Sequence, residues 1–174
     1  MRLTIPVPPV GPPTPDAARE IGLALLGNIC AAYQEHCGWA LLRMPYGGFA
    51  LRTWKRGSPY VRRVGHSSHL TDILRHQGGP DELTVDQRRK LGLPVTDAEV
   101  ATVGALATAL FAIQEGSVIA LWLDFRPWAP AHLRYRLRPG FNVAGEQVWH
   151  RLRAAGLESL LAAGSAYLGS QPRR

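Results

Sequence analysis

The sequence predicts a mainly α-helical fold, a helical domain with a C-terminal helix-turn-helix, and three observations point to it. Ile21, Leu25, Ile29 and Tyr33 recur every four residues, the spacing of one helix face. Val103, Leu106, Leu110 and Ile113 share one face of a second run, which opens at the cap candidates Thr96 and Asp97. The last third then carries arginine-rich segments on both sides of a Pro139-Gly140 break.

The elements follow in order. Residues 1–15 contain Pro6, Pro8, Pro9, Pro12, Pro13 and Pro15 and read as an extended arm, because proline fixes its backbone and lacks an amide donor. Residues 16–174 read as a single helical domain. Asp16 caps a helix over 17–37 that Gly38 ends, and Tyr46-Gly47-Gly48 is a turn. Residues 38–63 fit a small hairpin or plain loops. A short helix is expected over 67–77, stopped by Gly78-Gly79-Pro80, and one turn of helix over 85–91. The long helix spans 98–114, and the apolar run 117–125 continues it or forms another helix. Pro130 opens a helix over 131–137, Pro139-Gly140 breaks it, and 145–168 is helical again. The helix-turn-helix thus occupies about 117–168. No internal repeat is evident.

Bulk properties narrow the function classes. With 46% apolar and 19% charged residues the 174-residue chain suits a globular domain, so disorder as a whole is excluded. The net charge of +7 favours an anionic partner. Only Lys55 and Lys90 are lysines among the 20 basic residues; the rest are arginine, which grips phosphate and guanine edges bidentately. The segment 100–123 is long enough to span a bilayer, but Gln114, Glu115 and Gly116 interrupt it. An ionised side chain at that depth costs roughly 3 kcal/mol or more, so a buried core helix is expected and no membrane partner. The N-terminus lacks a basic segment followed by a long apolar run, and Cys30 and Cys37 are the only cysteines. Reduced thiols and a cytoplasmic location are the expectation.

Three constellations carry possible chemistry. In the helix-turn-helix, Arg134, Arg136 and Arg138 lie on or beside the first helix, and Gln147, His150, Arg151 and Arg153 on the second. Val148 and Leu152, one turn apart, would seat that second helix on the core, turning Gln147, His150 and Arg153 outward with Arg151 on the flank. Between 126 and 153 six arginines stand against one acid, Glu146, a pattern suited to neutralising phosphates. The second constellation is Arg52, Lys55, Arg56, Arg62 and Arg63 interleaved with Trp54 and Tyr60, which suits stacking and phosphate contact. The third is Cys30, His36, Cys37, His66, His69 and His76. Structural zinc sites use tighter Cys pairs, so buried thiols and surface histidines are expected rather than a metal or cofactor. Gly-x-Ser-x-Gly and phosphate-loop patterns are absent, and His66-Ser67-Ser68-His69 sets hydroxyls beside imidazoles without a catalytic geometry, so no enzyme is expected.

The order of these residues resembles the sigma-region-4-like module of bacteriophage Q-type late-gene antitermination proteins. The run Val118-Ile-Ala-Leu-Trp-Leu-Asp-Phe125 stands where that module carries an aromatic-containing apolar segment. Val143-Ala-Gly-Glu-Gln-Val148, then Leu152 and Ala155, match its recognition helix. Leu51-Arg-Thr-Trp-Lys-Arg56 and Gly65-His-Ser-Ser-His-Leu70 are similar to the basic and serine-rich stretch before it. The usual small residue of the first helix falls at Arg138 and the turn glycine at Asn142, which tolerates the left-handed conformation. The resemblance implies a transcription regulator that binds double-stranded DNA and engages RNA polymerase in a bacterial host cytoplasm. The other reading is a small phage or mobile-element module that binds a host protein without DNA.

Overall fold

Thr14 starts the first helix, α1 (Pro15–Gln34), its hydroxyl accepting from the Ala17 amide at 3.3 Å. Pro15 at the first helical position has no amide to leave unpaired, and Asp16 in the first turn suits the helix dipole. The cap therefore lies two residues before the expected Asp16, and Pro15 belongs to the helix rather than to the arm. The computed structural model describes residues 14–43, 48–55, 61–67, 69–74, 83–111, 118–124, 132–138, 150–154 and 156–170. His36, at φ 54°, turns the chain out of α1 into a strand.

The expected mainly α-helical chain is overturned by six strands among the described residues: β1 (Cys37–Arg43), β2 (Phe49–Lys55), β3 (Val61–Ser67), β4 (Val118–Asp124), β5 (His132–Arg138) and β6 (His150–Ala154). They form one antiparallel sheet in the order β3-β2-β1-β4-β5-β6. The remaining helices are α2 (Leu70–Leu74), α3 (Val85–Lys90), α4 (Asp97–Phe111) and α5 (Leu157–Ser170). The described residues of 38–63 are mostly strand; of the helix expected over 67–77, 70–74 is α2 and Ser67 ends β3, while 75–77 lie outside the described residues. The long helix expected over 98–114 is helical in α4 as far as Phe111, and 112–114 lie outside the described residues.

Among the described residues no helix-turn-helix forms over 117–168. Its apolar lead is β4 and its first helix is β5; of its recognition helix, 150–154 is β6 and 157–168 is helical within α5, while 145–149 lie outside the described residues. The physical reason is in the residues. Leu133, Tyr135 and Leu137 alternate with Arg134, Arg136 and Arg138, a period of two that a helix would scatter around its axis. Val118-Ile-Ala-Leu-Trp-Leu is a short apolar run with β-branched and aromatic members, which suits a strand in the middle of a sheet. The sequence of β6, His-Arg-Leu-Arg-Ala, alternates in the same way.

All five helices or their flanking turns share one core with one face of the sheet. Trp39, Leu41, Leu51 and Leu121 from the strands meet Leu25, Leu26 and Ile29 of α1, Ile73 and Leu74 of α2, and Leu91 beyond α3. Val103, Leu110 and Phe111 of α4 and Leu157, Leu160 and Leu161 of α5 complete it. Phe49 and Phe111 pack edge to face with ring centroids 6.2 Å apart. Each fully buried Leu or Phe contributes about 1.5–3 kcal/mol relative to exposure. Asn28, fully buried in α1, donates from one amide nitrogen to Ala24 O at 2.8 Å and to Leu74 O at 2.6 Å, which ties the end of α2 to α1. A capping box between Thr84 and Gln87 opens α3, and Thr96 caps α4 by accepting from the Glu99 amide.

The backbone has a repeat that the sequence does not display. The spacing of 82 residues that separates Thr14 from Thr96 also separates Ala18 from Val100 and Gly22 from Gly104, and these positions play matching parts in α1 and α4. Each helix leads into a three-strand meander, and the two meanders join where β1 pairs with β4. Ala40 pairs with Trp122, which is its own equivalent at the same spacing, so a two-fold pseudo-axis passes between them. Among the described residues no helix is long and apolar enough to cross a membrane.

Candidate nucleic-acid interface

Strand alternation divides the sheet into two faces. Trp39, Leu41, Leu51 and Leu121 occupy the face under the helices. The intervening positions belong to the opposite face, on which no described helix packs. Cross-strand pairing turns those positions into rows running across all six strands.

One row contains the site. Arg63 of β3 pairs with Arg52 of β2, Arg52 with Ala40 of β1, and Ala40 with Trp122 of β4. Trp122 then pairs with Arg134 of β5, and Arg134 with Arg153 of β6. The row thus reads Arg-Arg-Ala-Trp-Arg-Arg and spans five strand spacings, about 24 Å. The adjacent row reads His66, Ala50, Leu42, Ala120, Arg136 and Arg151. The register shift between Leu51 and Arg52 leaves Val64 without an opposite residue; without that bulge, Val64 would take the place of Arg63 beside Arg52.

The middle of the face is aromatic. Trp54 and Trp122 are half-buried, with ring centroids 5.4 Å apart and planes tilted by 52°. Gly38 makes this possible: the Trp54 indole lies where a Cβ on residue 38 would stand. Ala40 lies beneath, 1% exposed. The aromatic pair therefore rests on the two smallest side chains of β1.

Charge is segregated between the layers. The strands carry Arg43, Arg52, Lys55, Arg62, Arg63, Arg134, Arg136, Arg138, Arg151 and Arg153 against Asp124 alone. The helices carry Asp16, Glu20, Asp72, Asp86, Asp97, Glu99 and Glu158 against Arg19, Arg88, Arg89 and Lys90. Three cross-strand pairs, Arg52–Arg63, Arg134–Arg153 and Arg136–Arg151, set like charges directly opposite, an arrangement that lowers sheet stability.

The residues singled out in the sequence distribute as follows. Arg134, Arg136, Arg138, Arg151 and Arg153 come together, on strands rather than on recognition helices, and Arg63 joins them from the far end of the sheet. Arg62 pairs with Thr53 and His150 with Leu137, which places both in the alternation of the core-facing positions. Lys55 is exposed at the end of β2. Arg56 and Gln147 lie outside the described residues. Trp122 is the member of this row that helical reasoning passed over; its signal was a tryptophan in an apolar run beside a strictly alternating arginine strand.

The cysteines are separate from this face. Cys30 is buried in α1, Cys37 opens β1 with its Sγ 3.5 Å from Glu35 O, and no disulfide joins them. Among the described residues no three His, Cys, Asp or Glu side chains form a group that could hold a metal ion. No family model, curated protein or solved structure matches this chain.

Proposed function

We propose that the chain binds single-stranded nucleic acid on the sheet face opposite its helices. The observation that carries this reading is the Arg63-Arg52-Ala40-Trp122-Arg134-Arg153 row, with Trp54 packed against Trp122. Guanidinium groups neutralise phosphates, and aromatic rings stack on bases of any sequence when those bases are unpaired. A duplex fits poorly. Its bases are already stacked, and a six-stranded face about 24 Å across cannot enter a major groove of about 12 Å. The expected helix-mediated contact with double-stranded DNA is thus replaced by a different surface and a different ligand. The RNA polymerase partner is implied by the family resemblance alone and plays no part in this reading.

Binding of the purified chain to fluorescent single-stranded and duplex DNA across a salt series tests the reading. The expected result is tighter binding of the single strand, with affinity falling by several log units per log unit of salt. A preference for duplex, or no binding of either at about 50 mM salt, overturns it.

A further inference from the structure

We infer that one strand lies along the arginine row, perpendicular to the β-strands, so that two separate phosphate sites are bridged across the aromatic pair. This rests on the nucleic-acid reading and specifies how the ligand lies and how long it must be. The two-fold pseudo-axis between Ala40 and Trp122 puts an arginine pair on each side: Arg52 with Arg63, and Arg134 with Arg153. Arg52 and Arg134 are themselves separated by the repeat spacing of 82, so each half of the fold contributes the same element. Between the pairs, Ala40 and Trp122 leave no charge and one ring system.

The midpoints of the two pairs are four strand spacings apart, about 19 Å. An unstacked strand advances roughly 7 Å per nucleotide, about twice the 3.4 Å rise along one strand of a duplex. About four nucleotides are then the least that reach from one arginine pair to the other with a base over the tryptophans. A shorter ligand engages one pair only. A strand laid along the direction of the β-strands, by contrast, would meet Arg134, Arg136 and Arg138 of one strand and show no such threshold.

The experiment is a length series of labelled oligothymidylates from about two to about sixteen nucleotides, the range that covers known small single-strand sites. It is run on the full chain, on Arg52→Ala and on Arg134→Ala. For the unaltered chain affinity should rise steeply, by roughly a hundredfold, near four nucleotides, the lower end of the gain from linking two contacts. Each single variant should remove that step while leaving dinucleotide binding, through the other pair, within a few-fold; the double variant should weaken dinucleotide binding as well. Cooperative thermal unfolding of the variants shows that they fold. A smooth rise with length, unaltered in Arg52→Ala, overturns the bridging arrangement and leaves single-strand binding standing. Equal affinity for inorganic polyphosphate of matching length also overturns it, since the base over Trp122 would then contribute nothing. Failure of the longest oligonucleotide to bind overturns the function itself.

Discussion

Gly22 of α1 and Gly104 of α4 meet each other's helix backbone reciprocally. A Cβ on Gly22 would collide with the Val100 carbonyl, and one on Gly104 with the Ala18 carbonyl. The two helices cross at their closest where neither has a side chain. Gly22→Ala gains up to about 1 kcal/mol of helix propensity. It also forces apart two backbones that cannot yield as a flexible side chain can, and overpacking of this kind costs about 1–3 kcal/mol or more. The collision wins. We expect a net loss of about 2 kcal/mol and a melting temperature about 4–8 °C lower. Gly22→Ala/Gly104→Ala should cost less than the two single changes combined, because the first already opens the crossing. Thermal melts of the three variants decide it; full additivity would mean that the two glycines do not share one contact.

Removing arginines from the face opposite the helices should move stability and binding in opposite directions. Arg134 pairs with Arg153, and Arg136 with Arg151. Relieving one such pair by Arg153→Ala should stabilise the fold by about 0.2–1 kcal/mol, and the gain should shrink in high salt. The same variant should bind single-stranded DNA more weakly and with a shallower salt dependence. Urea unfolding at two salt concentrations alongside a binding titration tests both. A variant less stable than the parent would show that these guanidinium groups hold the sheet together.

Gly38→Ala displaces Trp54 without touching any charge. The new methyl would occupy the space of the indole ring, so the ring must swing off β1 and leave Trp122. Tryptophan emission should shift to longer wavelength, and single-strand affinity should fall about as far as in Trp54→Ala, by roughly 1–3 kcal/mol per stacked base. The salt slope should stay unchanged. Unaltered emission would show that the ring keeps its place by another route.

Asn28→Ala should loosen α2 selectively. Its amide donates to Ala24 O and Leu74 O inside the core. Loss of a buried donor leaves the Leu74 carbonyl unpaired, at about 1–3 kcal/mol. Hydrogen exchange should accelerate most at 69–74 and least in α4. Uniform acceleration would mean that α2 melts only with the whole domain.

α1 and α4 were readable because apolar residues recur at three- and four-residue spacing in both, although the α1 cap is Thr14 and not the expected Asp16. The sheet was not read, for a physical reason. In β4 both faces are apolar, so its period is invisible and its composition matches a buried helix. In β5 the strict Arg-Leu-Arg alternation was present, but arginine is also a good helix former, and the neighbouring Pro139-Gly140 supplied a plausible helix break. Val148 and Leu152 fit one helical turn, yet Leu152 lies on β6 opposite Tyr135. The basic character of the site could be read from composition alone. Its arrangement in rows could not, because a row is made of residues from six strands whose pairing no local window contains. The repeat escaped for a related reason: Gly22 and Gly104 correspond, but Trp54 corresponds to Arg136, so backbone position outlasts residue type.

The seam between β1 and β4 joins segments separated by α2, α3 and α4, whereas every other strand pair in the sheet links neighbours in the chain. Each meander can therefore zip up locally and quickly, while the seam must wait for a long loop to close. Until it does, each half presents a bare strand edge that matches the other half, and equally matches the same half of another molecule. Refolding at high concentration should consequently be the point at which this chain exchanges halves between molecules, with the arginine row completed by two chains instead of one.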